Sequence, residues 1–538
     1  MHHPGREPLT GGAVDRTLTT PGGAPGGEQK LARSITGPRK VSAAAALTRG
    51  DVARPDGRRL FALYCLLGFS AGLPFFMFST VLSLRLKEHG VGLVVIGFFA
   101  WVQLLPTMKF LWAPLLDRYD VPGFGRFFGK RRGWIMLAQI GIFTSLVAMA
   151  LTSSDTSLAV TALFAVLLAF WTTTLEVAAD AWRVELAPTQ EQQGPLATAN
   201  LWGYRTAMVA AGSGALLVAD GPGWTAAYLL IAFGAFVPFL VLAMMRSERI
   251  GAAGRAAALT TGLGASAVIL VGALVLTAAV GWIILGSAAG MGLDGTANVT
   301  PYVLAICMVP FLIMAAALPR IRRAPRDAWM RRSAAVGPYV DFFWRFGFGA
   351  VALMAFVSLY RMGDVLALNL SKPMIRDLGY TLSQIGRADS FVALLASMVG
   401  VGLGGWMTVK WRMGLALTVG AIFAAIGNFG FVWLAQQTTS EAMLYLATAA
   451  DQFGNGMAGA VFVVYLSLLC NPRYPGAQYA FLSGFAFLLP RLLSGAGGSM
   501  VEVIGYDGFF ILSGVLSLAA LVFLPVIARI TPRADDTP

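Results

Sequence analysis

The amino-acid sequence predicts an all-α membrane protein: two six-helix bundles with two extra transmembrane helices between them. Three observations carry this. Fifty-seven per cent of the 538 residues are apolar and 12% are charged, against roughly 25% charged in a soluble domain. Many apolar runs reach the ~20 residues needed to cross hydrocarbon. Lys and Arg gather in alternate loops between those runs, which is the positive-inside pattern of a polytopic protein. The net charge of +13 therefore reads as topology and not as a nucleic-acid surface.

Residues 1–59 are rich in Gly, Pro, Ala and Arg and lack an apolar core, so they read as a disordered basic cytoplasmic tail. They also lack the short apolar stretch of a signal peptide, which leaves targeting to a retained first span. From Leu60 onward about fourteen runs are long enough to span. The N-terminal six-helix bundle, 60–250, holds runs at 60–85, 92–115, 133–152, 158–182, 196–219 and 223–246. A central two-helix insertion with a basic loop, 251–335, holds 261–288 and 300–318. The C-terminal six-helix bundle, 336–530, holds 345–370, 382–407, 413–436, 442–469, 476–503 and 508–529, and 531–538 form a second cytoplasmic tail. Pro and Gly fall inside several runs, which membrane helices tolerate.

Loop charge orients the chain. Arg49, Arg54, Arg58 and Arg59 precede the first span, Lys87 alone follows it, and Arg118, Arg126, Lys130, Arg131 and Arg132 follow the second. Loops near Ser154, Asp294, Glu441 and Asp507 carry no Lys or Arg, whereas Lys410, Arg412 and Arg473 keep the basic side basic. Lys372 and Arg376 break the alternation. The pattern puts both termini in the cytoplasm, which requires an even number of spans. Two six-helix halves related as a parallel repeat are the major facilitator plan. A weak internal echo agrees: Lys130-Arg131-Arg132-Gly133-Trp134 follows the second span, and Gly404-Gly405-Trp406 with Lys410-Trp411-Arg412 closes its counterpart.

An ionisable residue in mid-span is costly and is a functional candidate by default. In the first half Lys109, Glu176, Asp180 and Arg205 fall in the inner third of their spans. Glu176 and Asp180 are four apart and share a helix face. Two carboxylates held that close suit a proton carrier. Arg205, at similar depth on the next helix, can pair with Glu176. Asp117, Arg118, Asp180 and Arg183 also suit a charge network that closes the cytoplasmic face. In the second half Arg361 and Asp364 are three apart, so Asp364 is either a proton site or the partner of Arg361. Asp389 and Asp451 lie in the outer halves of their spans, and Asp451 has no sequence-local cation. Arg491, mid-span without a local acid, suits an anionic substrate or a salt bridge to Asp389 or Asp451. The small residues of Gly68 to Pro74 serve close packing or a pliable gating helix. Cys65, Cys307 and Cys470 form no CxxC pair, and His2, His3 and His89 lie outside the spans. The expectation is therefore no metal, no cofactor and no enzyme.

Several stretches, in order, resemble the AmpG muropeptide permeases, a major facilitator branch related to acetyl-CoA transporters. They are Gly68 to Pro74, Lys109 to Tyr119, Asp180-Ala181-Trp182-Arg183, Gly203-Tyr204-Arg205, Tyr360 to Asp364, Asn455-Gly456-Met457, Leu469-Cys470-Asn471, Gln478-Tyr479-Ala480 and Arg491. The resemblance covers both bundles and leaves out the tail and the central pair. It implies proton-driven uptake, by a monomer in the bacterial inner membrane, of anhydro-muropeptides whose carboxylates would meet Lys109, Arg205, Arg361 and Arg491. Two positions depart from the family pattern: Leu175-Glu176 stand where Gln-Asp is usual, and Asp389-Ser390 where Asn-Lys is usual. A carrier of another bulky anion, such as an acyl-CoA, and a non-transporting membrane sensor are the alternatives.

Overall fold

The computed structural model describes residues 57–88, 101–121, 123–152, 158–245, 312, 316–325, 328–333, 335–495 and 497–530. The tail through residue 56, nearly all of both expected central spans, and residues 531–538 lie outside the described residues. Among the described residues the chain is helical, and nine helices are long and apolar enough to cross a membrane.

The first half comprises α1 (Gly57–Phe78, continued by Thr80–Glu88), α2 (Trp101–Leu111 then Ala113–Arg118), α3 (Lys130–Leu151), α4 (Leu158–Leu186), α5 (Gln190–Val209, continued through Asp220) and α6 (Trp224–Met244). A short helix, α7 (Gly337–Phe346), precedes the second half. That half comprises α8 (Gly349–Asp377), α9 (Leu382–Arg387, continued through Lys410), α10 (Met413–Ala435), α11 (Glu441–Leu469), α12 (Pro475–Gly495) and α13 (Gly497–Ala519, continued through Ala528).

The packing repeats. In the first half α1 packs on α5 and α6, α4 on α2 and α3, and α3 on α6. In the second half α8 packs on α12 and α13, α11 on α9 and α10, and α10 on α13. Adding seven to each label of the first set gives the second, so the weak sequence echo reflects a structural repeat of six helices. Between the halves, α5 meets α9 and α11, while α12 meets α2 and α4.

Lipid gives helices little hydrophobic reason to associate, so close approach through small residues does much of the holding. A Cβ on Gly203 would stand 1.9 Å from the Cys65 carbonyl oxygen, and one on Gly68 would stand 2.0 Å from that of Asn200. The glycines of the first span thus sit in a backbone-to-backbone crossing of α1 and α5. Gly400 and Gly404 do the same for α9 against α11, where a Cβ would meet Phe453 and Met457 carbonyls at 2.1 and 2.5 Å. Gly203→Val is expected to force α1 from α5 and to cost about 1–3 kcal/mol, the usual range for overpacking. Thermal unfolding in nanodiscs measures this, and an unchanged midpoint would contradict the crossing.

Two predicted boundaries move. The expected span 345–370 divides at Gly347, whose φ of 57° stops α7. The helix after it runs on to Asp377, so Lys372 and Arg376, the exceptions to the loop-charge pattern, lie on a helix and not in a loop. The expected span 476–503 ends early, at Gly495, and α13 is kinked at Gly505, where φ is 71°. A hydropathy window averages over a single left-handed glycine and does not register it.

Candidate functional site

Ionisable side chains from both halves converge midway along the helices. Lys109 Nζ on α2 lies 3.6 Å from Glu176 Oε2 on α4. Glu176 keeps 22% of its side chain exposed, although its neighbours Leu175 and Val177 are buried. Its electrostatic partners include Arg491 of α12. Because those partners come from both halves, Glu176 faces the space between the halves and not lipid. Arg491 Cζ lies 5.6 Å from the Phe487 ring centre, and its electrostatic neighbours are Tyr204 and Glu176.

On the other side of this belt, Arg361 Nη1 pairs with Asp364 Oδ2 at 2.7 Å, and Arg361 Nη2 donates to Asn455 Oδ1 at 3.4 Å. Arg205 of α5 donates to Gln452 Oε1 of α11 at 3.2 Å. The Gln452 amide in turn donates to Asp451 Oδ2 at 2.8 Å. A relay Arg205–Gln452–Asp451 therefore crosses the seam between the halves. The belt holds four cations, Lys109, Arg205, Arg361 and Arg491, with three carboxylates, Glu176, Asp364 and Asp451. Its formal surplus is one positive charge.

One expected pairing is not the one the structure contains. Glu176 is paired with Lys109, and Arg205 turns to Gln452. The helix face of Arg205 points across the seam, so an amide on the opposite half is its nearest partner. Asp389 lies apart from the belt's ion pairs; it binds Lys372 at 2.5 Å and is 42% exposed.

A second cluster joins the two halves at the end of the bundle that carries Lys130, Arg131, Lys410 and Arg412, here the basic end. Asp117 accepts hydrogen bonds from the backbone N–H groups of Gly476, at 3.1 Å, and Ala477, at 2.7 Å. These are the first free N–H groups of α12, where the helix dipole favours an anion. Arg131 Nη2 binds Asp117 and Glu185, both at 2.7 Å, and Arg131 Nη1 donates to the Leu116 carbonyl. Burial pushes the Asp117 carboxyl up from its ordinary value, opposed by Arg131 and by the two α12 N–H groups. Arg183 is fully buried, pairs with Asp180 at 2.8 Å and lies 5.3 Å from the Tyr479 ring centre of the other half. Arg118 is exposed and rests over Tyr119. Nearby, Gln190 Nε2 donates to the Thr408 and Trp411 carbonyls, closing α5 against the end of α9.

Helix α7 was not foreseen. Asp341 Oδ2 accepts from Arg345 Nε at 3.1 Å, Asn471 Nδ2 at 3.0 Å and Gln478 Nε2 at 2.8 Å. Gln478 Oε1 accepts from Arg345 and from the Asn471 N–H. This knot ties α7 to the α11–α12 turn and accounts for the Asn471 and Gln478 motifs that the sequence singled out without a role. Tyr339 of α7 reaches the other half, donating to the Phe110 carbonyl. Gln452, Glu185 and Phe487 also escaped the sequence reading, while Asn455 entered it only within a resembling stretch and Arg131 only as a loop charge. Amides and aromatics add no formal charge to an apolar run, so Gln452 and Phe487 did not stand out, and Glu185 lies just past the expected end of its span at residue 182.

No family model matches this chain. It is 27% identical over 470 residues to the anhydromuropeptide permease of Escherichia coli K12, covering 86% of this chain and 79% of that one. It is 26% identical over 468 residues to putative transporter AmpG 4 of Rickettsia felis, covering 87% and 95%. Among solved structures, the proton:xylose symporter XylE superimposes with a TM-score of 0.59 at 14% identity, over 88% of this chain and 96% of that chain. The human organic anion transporter MFSD10 superimposes with a TM-score of 0.53 at 15% identity, over 87% and 100%. The chain is a multi-pass membrane transporter with the major facilitator fold, similar to the AmpG permeases over most of its length.

Proposed function

We propose that this transporter imports anhydro-muropeptides across the bacterial inner membrane by proton-coupled alternating access, as a monomer with both termini cytoplasmic. The observation that supports the cargo best is the belt of four cations drawn from both halves. A muropeptide presents several peptide carboxylates and a bulky sugar, and a cationic belt inside hydrocarbon is stable only with anions to meet it. Lys109, Arg205, Arg361 and Arg491 are the cargo's partners in this reading. Asp451 carries the proton, ahead of Glu176, Asp364 and Asp389. Glu176 and Asp364 hold cations at 3.6 and 2.7 Å, and Asp389 holds Lys372. Asp451 instead binds an amide. The basic end is then the cytoplasmic face, joined by Asp117, Arg131 and Arg183 in this conformation, and this end must open to release cargo inward. Opening requires one half to rock on the other.

The test is uptake of labelled anhydro-muropeptide into proteoliposomes, with and without an inward proton gradient. Accumulation that needs the gradient is the expected result. Gradient-independent flux would remove the proton from the mechanism. No flux, with flux of an acyl-CoA instead, would change the cargo.

A further inference from the structure

Phe487 stands on α12 one turn before Arg491, and its ring touches guanidiniums from two helices. Arg491 Cζ lies 5.6 Å from the ring centre and Arg361 Cζ, from α8, lies 5.5 Å away. The two cations can therefore be no more than about 11 Å apart, each within cation–π range of the same ring. Two like charges sharing an interior space repel. An aromatic face is the apolar group that attracts both and lets them stay close. Each guanidinium also has a partner away from the ring: Asp364, Asn455 and the Phe462 ring for Arg361, and Glu176 and Tyr204 for Arg491. Both arginines belong to the second half with Phe487 as their spacer, and Arg491 faces Glu176 and Tyr204 of the first half across the seam.

We infer that Phe487 is a positioning residue that sets Arg361 and Arg491 as twin anchors for a ligand bearing two separated carboxylates, and so discriminates against ligands bearing one. This deepens the proposed function and rests on it. A monoanion engages one guanidinium fork and gains nothing from the spacing. A dianion engages both, and gains because the second contact is made within an already bound complex. Loss of the ring would leave both arginines free to swing toward their carboxylate and carbonyl neighbours.

The test uses the full chain in nanodiscs and two probes: an anhydro-muropeptide with its peptide carboxylates free, and the same compound with all but one amidated. For Phe487→Leu, Kd for the first probe should rise roughly tenfold, as expected for a lost cation–π pair. Kd for the second should change less than about twofold. Phe487→Tyr should restore the difference. Equal weakening of both probes, or of neither, overturns the inference and leaves the cargo reading intact. If the wild type binds neither probe, the cargo reading falls and this inference falls with it.

Discussion

Asp451→Asn is expected to end uphill accumulation while sparing exchange of cargo across the membrane. A pH gradient of one unit stores about 1.4 kcal/mol per proton, so one coupled proton sustains roughly a tenfold concentration ratio. The variant's ratio should fall to about one, whatever its rate. The geometry gives the reason. Asp451 accepts from Gln452 Nε2, which leaves Gln452 Oε1 free to accept from Arg205 across the seam. A carboxylate at 451 fixes that amide orientation; a protonated carboxyl has its own donor and can turn the amide round. Arg205 would then lose its partner on the opposite half, and proton occupancy would bias one arrangement of the halves over the other. Asparagine keeps volume and hydrogen bonding but has no proton to exchange. The measurement is the steady-state ratio of labelled cargo in proteoliposomes, with counterflow as the control for folding. If Asp451→Asn keeps its full gradient response and Glu176→Gln loses it, the proton belongs at the Lys109–Glu176 pair instead.

The arrangement of the belt explains how far the sequence could lead. Lys109, Glu176, Arg205, Arg361, Asp364, Asp451 and Arg491 were all visible, because a charge in an apolar run stands out against its neighbours. Their partners were mostly not. Arg361 with Asp364 could be paired from spacing alone, since three residues put both on one helix face. Lys109 with Glu176, and Arg205 with Gln452, depend on which helices adjoin, and one sequence carries that information weakly. The six-helix repeat was legible as a count and a faint echo, while its pairing pattern became plain only in the packing. Helix α7 was hidden because its apolar face merged with the run that follows it, separated only by the turn at Gly347.

Arg131→Leu is expected to be the most damaging single change at the basic end. Arg131 and Asp117 are 5% and 4% exposed, and Arg131 serves Asp117, Glu185 and the Leu116 carbonyl together. Removing one member of a buried ion pair leaves its partner charged and uncompensated, which typically costs about 3–5 kcal/mol. Two backbone N–H groups of α12 still face Asp117, which places the cost toward the lower end of that range. Replacing Asp117 as well should return part of the loss, since no lone carboxylate then remains. The two changes differ in what they do to conformation. Arg131→Leu leaves the bond from Asp117 to α12, so the halves stay joined at this end. Asp117→Leu cuts it, leaving the first turn of α12 without its anion and the closure resting on Gln190 and Arg183. Asp117→Leu should therefore shift the population toward a state open at the basic end, while Arg131→Leu should chiefly lower the melting temperature. Distance distributions between spin labels on the α2–α3 and α11–α12 turns separate the two effects. Identical distributions in the wild type and Asp117→Leu would mean that this contact does not hold the halves together.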